Sequence, residues 1–140
     1  MSLSPYLHFN GNCREAFEFY RAAFGGEFLV LQTFGDGPAD MPIPDDERNN
    51  VMHVSLPVGT SVLMGSDVPT TFGQPAPAES NVSISYAAQS REETDALFAK
   101  LSDGGTVTMP LQDMFWGAYF GACIDRFGVN WMLNCEEPQG

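Results

Sequence analysis

An α+β fold made of two β-α-β-β-β modules, their sheets curving into a mixed-sheet cup, is the architecture predicted by this 140-residue chain. Three observations carry the prediction. Residues 5–34 read strand, helix, strand. A weaker copy of that pattern returns at Asn81, about 75 residues on. The strand-like segments alternate, with one apolar and one polar face.

The elements follow in order. Tyr6 to Asn10 alternates about Leu7 and Phe9, and Gly11-Asn12 breaks it. Asn12 with Glu15 three residues on has the form of a helix start, the Asn side chain accepting from an orphan N–H and the Glu reaching back. Ala16, Phe17, Tyr20 and Phe24 then make one apolar stripe, and Gly25-Gly26 ends the helix. Phe28 to Phe34 resumes as a strand. Gly35 to Asn50, rich in Pro, Gly and acid and without periodicity, reads as a surface loop. Val51 to Val58 alternates Met52, Val54, Leu56 and Val58 against His53 and Ser55; Gly59-Thr60 turns it into a returning strand, Ser61 to Ser66.

Asp67 to Ser80 is a Pro-rich connection, and the plan then restarts. Asn81 to Ala87 is a strand, Ser90 to Glu93 a capping box, and Thr94, Leu97, Phe98 and Leu101 a second buried stripe ending at Gly104-Gly105. Thr106 to Leu111, Gly117 to Ile124 and Val129 to Cys135 complete three more strands, the last two joined by a turn at Asp125-Arg126-Phe127-Gly128. The chain is thus read as one domain, residues 1–140, with modules at about 1–67 and 80–137. The faces away from the helices carry His8 and Asn10, His53 and Ser55, Ser83 and Ser85, and Asn130 and Asn134. Polar residues lining a concavity point to a small-molecule site, closed within one chain or across a dimer; on any one-sided antiparallel sheet the same residues would simply meet water.

Composition narrows the partners. With 18 acidic residues against 6 basic ones, the net charge of −12 excludes a nucleic-acid footprint and an anionic membrane surface. No apolar run approaches the ~20 residues of a membrane span. The N-terminus lacks the basic and apolar regions of a signal peptide, and three cysteines without paired spacing fit a reducing compartment, so a cytoplasmic protein is expected.

The duplicated module, the opening Leu7-His8-Phe9-Asn10-Gly11-Asn12, the helix with Glu15-Ala16, Phe19-Tyr20 and Phe24-Gly25, and the closing Asp125, Phe127-Gly128 and Trp131 together resemble the vicinal oxygen chelate superfamily. That group contains glyoxalase I, the bleomycin-resistance proteins and the extradiol dioxygenases. Leu63-Met64, Ser66-Asp67, Gln112, Phe115-Trp116-Gly117 and Gly121 add a likeness to its PhnB-like branch. Some members of the branch carry a methyltransferase description; this chain has no Gly-rich strand-to-helix loop to hold an adenosyl cofactor.

The resemblance implies a divalent metal (Fe, Mn, Ni or Zn) held by His and Glu from both halves. The chain has two histidines, and His53 and His8 are the candidate ligands. Two imidazoles and a carboxylate would form the facial triad of non-haem iron, but the last strand, Val129 to Asn134, offers no acid before Glu136. Gln112, Phe115 and Trp116 are candidate ligand contacts, an amide handle beside two stacking surfaces; packing at the sheet end or in a dimer contact is the alternative role for the two aromatics. Ser83 and Asn130 join them on the polar faces. Asp67 and Asp113 are candidate bases or ligands, and Cys13, at a helix start, could have its thiol pKa lowered by the dipole. Two functions are expected: a metal-dependent lyase, isomerase or dioxygenase-type enzyme, or a metal-free protein that sequesters a small molecule, in either case as a homodimer.

Overall fold

The computed structural model describes residues 3–37, 40, 42–72 and 81–136. The chain divides into two compact units, residues 1–77 and 78–140. In the first, β1 (Tyr6–Phe9), α1 (Cys13–Phe24), β2 (Val30–Thr33), β3 (Val51–Val58) and β4 (Ser61–Asp67) form a four-stranded sheet of order β1-β4-β3-β2 with one helix. The second repeats the plan with β5 (Ile84–Ala87), α2 (Arg91–Ser102), β6 (Thr106–Asp113), β7 (Ala118–Ile124) and β8 (Asn130–Glu136), in the order β5-β8-β7-β6. In each unit the first strand runs parallel to the last and the other pairs are antiparallel. The sheets are therefore mixed and the class is α+β.

Each helix buries one stripe on its own sheet. Cys13, Ala16, Phe17 and Tyr20 of α1 pack with Phe9, Val51, Val54, Leu56 and Leu63. Thr94, Leu97, Phe98 and Leu101 of α2 pack with Cys123, Trp131, Leu133 and Cys135. One glycine per sheet makes the approach close enough. A Cβ on Gly65 of β4 would stand 2.6 Å from Phe17 Cε2, and one on Gly121 of β7 would stand 2.7 Å from Leu111 Cδ2 and 3.1 Å from Phe98 Cε2.

Several boundaries and faces depart from the sequence reading. β2 starts at Val30 and ends at Thr33, because Phe34 turns into a short 3-10 segment whose N–H bonds the Asn50 carbonyl. The register slips between Gln32 and Thr33, leaving Met52 as an extra residue in β3. The bulge puts Val51, fully buried, where Met52 was expected to face the helix. Ile43 inside the expected loop Gly35 to Asn50 is buried, as is Phe34 just before it. Most of the connection, residues 73–80, lies outside the described residues. β5 begins only at Ile84, which leaves Ser83 exposed in front of the strand.

The start of α1 is also built differently. Asn12 makes no side-chain cap bond. The Asp67 carboxylate at the end of β4 does this work instead, Oδ1 accepting from the N–H groups of Gly11 (2.8 Å) and Cys13 (3.0 Å) and Oδ2 from Val51 (2.9 Å). Helix α2 starts as expected, the Glu93 N–H donating to Ser90 Oγ at 3.0 Å.

Candidate functional site

The face of the first sheet opposite α1 carries the chemistry. Alternation puts Tyr6 and His8 of β1 on it, with Met64 and Ser66 as their partners in β4, Ser55 across from Met64, and Gln32 across from His53. Tyr6 is the centre of the group. Its ring lies 5.2 Å from the His8 ring and stacks on His53 at 5.7 Å, and its hydroxyl is 3.1 Å from His53 Nδ1. The two histidines of the chain thus flank one phenol. Either tautomer of His53 satisfies that bond. If Nδ1 accepts from Tyr6, the imidazole still has an Nε2–H to donate; if Nδ1 donates, the tyrosine O–H is left for another acceptor.

A divalent metal would need more than this. Among the described residues no three His, Cys, Asp or Glu side chains come together as a set that could hold an ion. The only acid in the four strands of the first unit is Asp67, and it is buried on the opposite face with both oxygens occupied by backbone N–H groups. His8 and His53 do not fit the His-His-carboxylate set that iron of this type requires.

In the second unit, the face opposite α2 carries Asn130 and, across from Phe120, Gln112. Asn130 Nδ2 donates to the Val82 carbonyl at 3.0 Å, tying β8 to the segment that holds Ser83. Phe115 and Trp116 form the turn between β6 and β7, 97% and 54% exposed, their rings edge to face at 4.9 Å. They are a projecting pair at a hairpin tip and do not pack the sheet end within their own unit.

The acids and the thiol resolve differently from expectation. Asp113 points toward α2, where Arg91 grips both carboxylate oxygens, and that hydrogen bond holds its carboxyl below the usual carboxylate range. Arg91 also lies over the Tyr119 ring at 3.9 Å, so Asp113 belongs to a helix-to-sheet clamp. Asp67 is 3% exposed and locks the start of α1. Neither acid faces an open sheet surface as a general base would. Cys13 is fully buried; desolvation first, and the Asp67 charge second, push its thiol pKa up, the reverse of the dipole effect expected at a helix start.

The first unit has a cavity as well, about 260 Å³, lined by Asn10, Gly11, Glu47, Asn50, Val68, Pro69 and Thr70. Of the polar residues that the sequence put on the concave faces, Asn10 lines it; His8, His53, Ser83, Gln112, Phe115, Trp116 and Asn130 do not. Thr70 donates to both oxygens of Glu47 through its N–H (3.0 Å) and hydroxyl (2.8 Å), so the one carboxylate in the lining is already engaged. Tyr6 is what sequence reasoning missed: its place on the polar face two residues before His8 was the available signal.

Comparison with known proteins adds the family context. The profile of the Glyoxalase/Bleomycin resistance protein/Dioxygenase superfamily matches residues 2–133. Protein YjdN of Escherichia coli (strain K12) is 30% identical over 151 aligned residues, covering 99% of this chain and 98% of YjdN. Protein PA1353 of Pseudomonas aeruginosa has a solved structure that is 43% identical, with a TM-score of 0.85 and 99% of both chains covered. A PhnB protein from Bacillus cereus shares the fold at 24% identity, with a TM-score of 0.78 over 96% of this chain and 99% of its own.

Proposed function

Since the chain belongs to the glyoxalase/bleomycin resistance protein/dioxygenase superfamily, we propose that it binds a small molecule on the open face of the β1-β4-β3-β2 sheet without a metal. The observation that carries this reading is the Tyr6–His53 pair, an aromatic surface with a spare hydrogen-bond donor on a sheet face that its own helix leaves bare. Aromatic rings with a polar tip are the usual anchors of such sites. In the second unit, taken by itself, Gln112 and Asn130 on the open face of its sheet, Ser83 before β5 and the Phe115–Trp116 tip are proposed as small-molecule contacts of that unit's own surface. The protein works as a homodimer in a reducing compartment, where its three buried thiols stay free.

The alternative, a metal-dependent lyase, isomerase or dioxygenase, draws on the same two histidines and lacks a third ligand among the described residues. Metal content of untagged protein purified without chelators separates the two. Substoichiometric Fe, Mn, Ni and Zn, unchanged by His53→Ala, is expected. One metal per chain that disappears in His53→Ala would overturn the binding reading in favour of the enzyme.

Fluorescence tests the second unit. Trp131 is buried and Trp116 is half exposed, so quenching by a bound aromatic compound should be lost in Trp116→Ala. Full quenching in that variant would remove Phe115 and Trp116 from the site.

A further inference from the structure

The charge pattern of the open face narrows what it binds. The chain carries 18 acids and a net charge of −12, so a solvated sheet surface would ordinarily hold some of them. The strands of the first unit hold only one, Asp67, and it is turned inward and buried. They contain no Lys or Arg either. The polar residues on that face are Tyr6, His8, Gln32, His53 and Ser66, with Ser55 buried among them; each can donate a hydrogen bond and none is an acid, and the apolar Val30, Pro57, Val62 and Met64 share the face.

The strong cations of this unit are engaged elsewhere. Arg21 pairs with Glu18 and Glu27, Arg48 with Asp45, and Arg14 donates to the Asn49 carbonyl. The open face is thus free of acids and carries several N–H and O–H groups able to donate, with a ladder of three rings, His8, Tyr6 and His53, spaced 5.2 and 5.7 Å apart.

A face that has N–H and O–H donors and no carboxylate to repel an anion favours a charged acceptor, because hydrogen bonds to an ionised acceptor are about twice as strong as neutral ones. The ring ladder favours a flat π-system. We propose that the ligand is a planar aromatic carboxylate, its ring packed against the His8–Tyr6–His53 ring ladder and its anion on the spare donor of the Tyr6–His53 pair and on Ser66. This rests on the binding reading above and adds the charge and shape of the ligand.

The test uses the full chain at a fixed pH of about 7, where aromatic carboxylates are ionised. The probes are 2-naphthoate, 2-naphthamide and 2-naphthylmethylammonium, alike in ring and different in charge. With two histidines in the chain, the imidazole NMR signals are assignable from His8→Gln and His53→Gln. The expected result is that 2-naphthoate moves both imidazole signals and binds roughly fivefold to tenfold tighter than the amide, with the ammonium weakest. Tyr6→Phe, which keeps the ring, should bring the carboxylate down toward the amide. Equal or tighter binding of the amide or the ammonium, with the imidazoles still responding, would overturn the carboxylate while leaving the face as a binding surface. Imidazole signals unmoved by all three probes would overturn the binding reading itself.

Discussion

Three backbone N–H groups end on the carboxylate of Asp67, which is buried at 3% exposure. Asp67→Ala should therefore cost roughly 3 kcal/mol of unfolding free energy, since hydrogen bonds to charged groups contribute about 1.5–3 kcal/mol and the orphaned donors stay buried. A chemical denaturation curve within about 0.5 kcal/mol of the parent would contradict this role. The cap was illegible in the sequence for a plain reason. Its acceptor is 54 positions from the Cys13 N–H, whereas capping patterns register only neighbours such as Asn12. The same burial makes Cys13, Cys123 and Cys135 inert. A thiol reagent such as DTNB should label none of them in the native protein and all three after denaturation; fast native labelling would refute the buried placement.

Tyr86 supplies the pH dependence. Its hydroxyl donates to Glu93 Oε1 at 2.8 Å, and burial first, then that bond, push its pKa up from 10.0 to about 12. The folded state thus favours the neutral phenol. That stability is whole below pH 10, the unfolded value, and is lost as the pH rises toward 12. The denaturation midpoint should fall over this window more steeply in the parent than in Tyr86→Phe, and parallel curves would exclude the contribution.

At the scale of elements, each helix lies on its sheet through a glycine. Gly65→Ala would drive a methyl group against Phe17 and the Leu7 carbonyl, and Gly121→Ala against Leu111 and Phe98. Each should destabilise by about 1–3 kcal/mol, the usual cost of overpacking a filled core. If both variants unfold at the parent's midpoint, the packing described for the two units is wrong. These elements were legible because helix and strand periods differ and the apolar stripes are clean, as at Ala16, Phe17 and Tyr20. What periodicity could not register is an inserted residue. The bulge at Met52 shifts the phase of β3, so a strict alternation turns Met52 inward in place of Val51.

Across the whole molecule, one plan is used twice and in the same strand order. The pattern at Asn81 made that repeat legible. Of the candidate site, His8, His53, Gln112 and Asn130 occupy open sheet faces, whereas Asp67 and Asp113 turned out to hold helices in place. An acid's role depends on partners that only the folded chain supplies, so composition and spacing could not separate those two from solvent-facing carboxylates. The central claim is that recognition happens on the face bearing Tyr6 and His53, away from the cavity beside Glu47 and Thr70. Backbone amide shifts on saturation with 2-naphthoate decide between the two places. The account predicts the largest changes at Tyr6, His8, Gln32, His53 and Ser66; changes concentrated at Gly11, Glu47, Asn50 and Thr70 would contradict it.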